Sequence, residues 1–191
     1  MPIDYDTPKW TLREAAVAAG YEPNTLRSYY SPHRKLFRII GGAEAQAKGL
    51  AGLLNLRDVL QLAVAQRLIE IGVHPGDAFQ AGVDFAHTST TPSGWPTRDP
   101  AELFDPREAF TFLIWMPGRG GEVVPVKTSD PRLDVVHLIY NQASGRRGPA
   151  IVILLNDVQN DVFAALRIAR CGRGWVEAER LHDRARWFDQ G

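Results

Sequence analysis

Apolar residues recur at helical spacing through the first eighty-odd positions, then gather into strand-sized runs beyond residue 108. "WTLREAAVAAG" (10–20) predicts a short helix with both ends marked. Thr11 and Glu14 have capping-box spacing, Leu12, Ala15, Ala16 and Ala19 share one face, and Gly20 suits the left-handed closing position. A second helix follows at once, with Pro23 in its first turn and Leu26, Tyr29 and Tyr30 on its apolar side. "NLRDVLQLAVAQRLIEIG" (55–72) is the strongest helical pattern. Asn55 can cap it, Asp58 supports its first turn, and Leu56, Val59, Leu60, Ala63, Leu68 and Ile71 form a broad stripe that Gly72 ends. A shorter helix is expected after Pro75, in "HPGDAFQAGVDFA".

Two short helices joined by a tight turn, the first rich in small alanines that allow close crossing, satisfy the requirements of a helix-turn-helix. "RKLFRII" (34–40) is rich in β-forming residues, and "GGAEAQAKGLAG" (41–52) is small and flexible, which together predict a ribbon with a long loop. Residues 88–107, full of Pro, Thr, Ser and Asp, read as a linker or irregular connection. Beyond it, "AFTFLIWM" (109–116), the turn "PGRGG" and "EVVPV" predict a hairpin whose second strand, carrying Pro125, lies at an edge. "VVHLIYN" (135–141) fits a strand or a short helix. "AIVILLN" (150–156) reads as a buried strand, with Asp157 capping a helix to about Arg170, and "WVEAERLHDRARWFDQ" (175–190) is helical in pattern. The expected fold is therefore α+β: a helix-turn-helix with a wing over 1–86, a linker over 87–108, and a small α/β unit with a short sheet over 109–191.

Composition narrows the function classes. The 191 residues carry 22 basic and 22 acidic side chains, so overall charge does not favour a polyanionic partner. Residues 1–76 carry two more bases than acids and the remainder two fewer, which localises any anion-binding surface to the first part. There it concentrates in "NTLRSYYSPHRKLFRII" (24–40), which holds Arg27, Arg34, Lys35 and Arg38 and no acid. A solvated surface is the plain alternative for such a run. Cys171 is the single cysteine, which excludes an internal disulfide and suits a reducing compartment. No leader-like start and no apolar run of membrane-spanning length is present, so a cytoplasmic protein is expected, without membrane association.

An α-helix fits the DNA major groove and reads base edges from its N-terminal half. In the second helix Glu22, Asn24, Thr25 and Ser28 stand there, all able to hydrogen-bond. Arg34, Lys35 and Arg38 would follow the flanking backbone along the wing. Arg57, opening the third helix, would touch phosphate or pair with Asp58. Tyr29 and Tyr30 are both candidates for the core, Tyr30 the better one.

Taken in order, "TLREAAVAAG", "NTLRSYY", "RKLFR", "NLRDV" and "QRLIEIGVHPGDA" resemble the mercury-resistance-regulator (MerR) type of winged helix-turn-helix over roughly residues 10–80. The resemblance implies DNA binding and transcriptional control. It places Arg27 as the helix-borne arginine on phosphate or guanine, and Tyr29 as the aromatic whose hydroxyl meets a phosphate. Residues 41–53 lengthen the wing beyond the family's usual form, and the family's dimerising coiled coil is missing. Promoter untwisting and metal sensing are therefore not implied.

Other chemistry is weaker. His33, His74, His87, His137 and His182 lack ligand-like spacing, so neither a metal nor a cofactor is expected. Asp157 and Asp161 fit capping and a solvated face better than acid–base catalysis. "GRGG" (118–121) lacks the context of a phosphate loop, Cys171 beside Arg170 and Arg173 is a lone thiol, and no nucleophilic triad stands out. The expectation is a non-enzymatic, sequence-specific regulator binding double-stranded DNA. It is expected as a homodimer, since a two-fold protein reads a two-fold site. Strands 110–116 and 150–155 with Trp175, Trp187 and Phe188 would supply the contact with a second copy or another protein, or would only fill their own core. An architectural or recombination-accessory (excisionase-like) factor, and a protein-interaction adaptor without DNA binding, are the alternatives.

Overall fold

A computed structural model describes residues 3–31, 33, 36, 37, 39–41, 52–129 and 149–168. These form five helices and two small antiparallel sheets, an α+β arrangement. The expected strand or helix at 135–141, the terminal helical stretch, Cys171, Trp175, Trp187 and Phe188 lie outside the described residues, as do Arg34, Lys35 and Arg38.

Helix α1 (Leu12–Ala18) begins on the expected capping box, with Glu14 N–H donating to the Thr11 hydroxyl and Thr11 N–H donating to the Glu14 carboxylate. Ala15, Ala16 and Ala19 are buried, and Gly20 closes the helix at φ +84° while Tyr21 N–H donates to Ala16 O. Only two residues separate that glycine from α2 (Pro23–Tyr30), which starts on its proline and buries Leu26 completely. Helix α1 packs both on α2 and on α3 (Leu56–Glu70). Asn55 and Asp58 form a second capping box at its start.

The ribbon expected over residues 34–40 does not form among the described residues. Leu36 N–H and Phe37 N–H both donate to Tyr29 O, and Ile40 N–H and Gly41 N–H both donate to Asp58 Oδ1. These amides have non-ladder acceptors, so they build no sheet edge. The small sheet here instead joins β1 (Trp10–Thr11) to β2 (Leu53–Leu54), with Trp10 opposite Leu54 and Thr11 opposite Leu53. Asp58, read as support for a helix dipole, is fully buried and staples the 40–41 backbone to the start of α3.

Helix α3 is buried nearly all round rather than along one stripe, since Leu62, Val64 and Ala65 are also enclosed. Its expected stripe residue Ile71 falls at the C-cap and is 59% exposed. Gly72 (φ +94°) then reverses the chain into α4 (Pro75–Ala86), whose N-cap His74 accepts Gly76 N–H at Nδ1. The seam between α3 and α4 is close: a Cβ added at Gly82 would lie 2.4 Å from Gln61 O.

Residues 87–108 are an irregular connection rather than a free linker. Thr90 and Arg98 pair as an isolated antiparallel bridge. The Arg98 guanidinium, only 3% exposed, donates to the carbonyls of Phe85, Thr88, Asp99 and Glu102 and to the Thr90 hydroxyl, and lies over the Phe85 ring. Its side chain organises the whole turn at the end of α4.

The hairpin forms as expected from β3 (Ala109–Met116) and β4 (Gly120–Lys127). Strand order is β4-β3-β5, with β5 (Ile151–Leu154) antiparallel to β3. Pro125 indeed occupies an outer strand. Its register partner Thr111 directs its own N–H to Asn156 Oδ1, away from β4, so the missing proline N–H would have pointed outward. Strand β5 is half-buried rather than enclosed, and α5 (Leu155–Ala165) follows it without a loop. Asp157 therefore sits inside the first turn, not at the cap, and the helix ends before Arg170. Helix α5 packs on α3 and β3, and α4 packs on β4. A single apolar core thus runs from Tyr5 through α3 and α4 to Phe163, and Leu113 and Trp115 of β3 are part of it.

Candidate nucleic-acid interface

Helix α2 divides its residues sharply. Leu26 points into the core, and Tyr29 is half-buried with its ring edge-on to Tyr21 and to Phe79. Burial holds the neighbouring Tyr21 phenol well above its ordinary pKa, and its hydroxyl is enclosed without a hydrogen-bond partner. Tyr30, the better core candidate from sequence, is 39% exposed. With Leu26 and Tyr29 taking the inward positions at i, i+3 spacing, Tyr30 falls on the flank and rests against Phe37.

The outward side carries Asn24, Thr25 and Arg27, all exposed, with Ser28 half-buried beside them. The Ser28 hydroxyl donates to Thr25 O at 2.8 Å, which still leaves its oxygen able to accept. Leu12, Arg13, Glu22, Pro23, Asn24 and Arg27 together line an open groove of about 240 Å³ between the starts of α1 and α2. Arg13 was not among the sequence candidates. A cation on the polar side of α1 gives no local sign of lying beside α2; only the helix crossing brings it there.

The state of the other cations gives this groove its meaning. Lys9 pairs with Asp4, and Arg67 of α3 pairs with Asp161 of α5. Arg57 neither faces solvent freely nor pairs with Asp58. Its Nε and one terminal nitrogen hold the Asp6 carboxylate, the other terminal nitrogen donates to Pro100 O, and the guanidinium lies over the Tyr5 ring. Asp6 is correspondingly held below the usual carboxylate range by that guanidinium. Among the described lysines and arginines of residues 3–86, Arg13 and Arg27 are the two without a side-chain hydrogen bond or ion pair, and both line the same groove. Of the nearby acids, Glu14 is engaged by Thr11, which lowers its pKa, while Glu22 shares the groove without bonding either arginine.

A second polar cluster joins α3 to α4 and its C-cap. Gln61 reaches Phe79 O and, at 3.2 Å, His87 Nε2; the same nitrogen is 3.6 Å from Asp58 Oδ1. Burial pushes the His87 pKa below its ordinary value, against the opposing pull of Asp58. Among the described residues no group of three or more His, Cys, Asp or Glu could hold a metal ion, and no helix is long and apolar enough to cross a membrane.

No protein-family model matches the chain, and no curated protein is similar to it in sequence.

Proposed function

We propose that the chain is a sequence-specific DNA-binding transcriptional regulator, with a MerR-like helix-turn-helix in its first 86 residues. The supporting observation is the exposed side of α2, where Asn24, Thr25 and Ser28 offer donors and acceptors beside an Arg27 that no acid neutralises. Such a helix face has the chemistry of direct readout: amides and hydroxyls for base edges, and a guanidinium for guanine or phosphate. Helix α2 covers only a half-site, so the regulator is read as a homodimer, which light scattering at micromolar concentration tests.

Selection of fragments from sheared bacterial genomic DNA by the full chain tests the function directly. The expected result is a recurring two-fold motif, bound saturably and with steep salt dependence. Binding with no sequence preference accompanied by bending would favour the architectural reading. An absence of duplex binding at low salt would remove DNA as the partner.

A further inference from the structure

We propose that Arg13 is a DNA contact in its own right, gripping a backbone phosphate from α1 while α2 reads bases. This rests on the DNA-binding reading of α2 and adds to it a residue on a different helix. Arg13 and Arg27 come from separate helices, yet line one open groove and are both free of protein partners. The groove, at about 240 Å³, has room for a phosphate group, given that a liquid water occupies about 30 Å³. The acid adjacent in sequence, Glu14, is turned back onto Thr11 and so does not pair with Arg13.

Position argues for phosphate over base. In a helix-turn-helix the first helix crosses the sugar–phosphate backbone while the second enters the groove. Arg13 stands at the second residue of α1, beside the start of α2, where a strand flanking the groove would pass. Glu22, also lining the groove, would repel a phosphate placed against it, so the phosphate belongs on the Arg13 side. A guanidinium suits such a contact because it offers a planar fork of donors matching two phosphate oxygens.

The test compares full-length Arg13→Ala, Arg13→Lys, Arg27→Ala and, as a charge-matched control, Arg119→Ala in the exposed β3–β4 turn. Each is titrated with the genomically selected duplex and with a mixed-sequence duplex across a salt series, and urea unfolding confirms that each is folded. Expected for Arg13→Ala is about tenfold weaker binding to both duplexes, with the log–log salt slope shallower by about 0.9. Arg13→Lys should recover the slope, and Arg119→Ala should match wild type. An Arg13→Ala variant equal to wild type, while Arg27→Ala weakens binding, would overturn the Arg13 contact and leave the function of α2 intact. Loss of discrimination between duplexes with an unchanged slope would make Arg13 a base reader and overturn the phosphate assignment. Failure of the wild-type chain to bind any duplex would overturn the underlying DNA reading.

Discussion

Arg27 and Arg98 are chemically identical, and their surroundings could hardly differ more. Arg98 is enclosed at the end of α4, where five protein oxygens accept from its two terminal nitrogens. Burial lowers its pKa to about 10 despite the nearby carboxylates of Glu102 and Asp99. Arg27 lies in solvent with none of its donors used. One guanidinium completes the fold; the other is available to a partner. A chain with equal numbers of acids and bases can therefore still leave cations open to a partner: Asp4, Asp6 and Asp161 pair with Lys9, Arg57 and Arg67, while Arg13 and Arg27 in the α1–α2 groove have no ion pair.

The comparison breaks most visibly at Arg98. Replacing it with Met strips the Phe85, Thr88 and Glu102 carbonyls of their guanidinium donor inside the fold and should reduce unfolding free energy by about 4 kcal/mol in urea titration. A loss below about 1 kcal/mol would mean that water replaces the guanidinium and that the turn does not depend on it. Gly82→Ala probes the same closed side of the molecule. The new methyl meets the Gln61 backbone, which cannot move without shifting α3, so about 2 kcal/mol of stability should go. Arg27→Ala should do the reverse, leaving the urea midpoint unchanged while weakening binding to the selected duplex about tenfold. A shift in midpoint without a change in binding would reverse the roles given to the two arginines.

The smallest effect concerns His87, which sits between the two regions behind the Asp58 staple. Its folded pKa lies below the ordinary 6.5, so near pH 6 the unfolded chain binds more protons. Stability should be fully present above about pH 6.5 and decline as pH falls below it toward the folded value. In His87→Asn this part of the pH–stability curve should flatten. An unchanged curve near pH 6 would remove His87 as its source, since Asp6 and Glu14, with lowered pKa values, act only at more acidic pH.

Sequence pattern served well where the deciding contacts are short in range. Thr11 with Glu14 formed the capping box expected from their spacing and Asn55 the expected cap, while Asp58, read only as dipole support, completes a second box three residues on. Pro23, Gly20 and Gly72 marked boundaries through their own backbone preferences, and the β3–β4 hairpin followed from two strand runs and a glycine turn. At the described residues 36, 37, 39 and 40 the expected ribbon is not seen, because β propensity reports a suitable backbone, not where its amides will find acceptors. Tyr29 O and the buried Asp58 carboxylate took the amides of Leu36, Phe37 and Ile40, and of Gly41 beyond them. Residues 87–108 looked like a linker because Pro, Ser and Thr dominate there. Nothing local shows that Arg98 will turn inward and gather the surrounding carbonyls.

Helix ends, the hairpin and the mixed α+β class could be read from the chain itself, because each depends on residues within a few positions of one another. Which charges remain free could not. Arg57 meets Asp6 across 51 positions and Arg67 meets Asp161 across 94, pairings that only the packed chain creates. The same packing sets Arg13 beside Arg27 and leaves both open to solvent, since neutralisation depends on distance in space rather than on order along the chain.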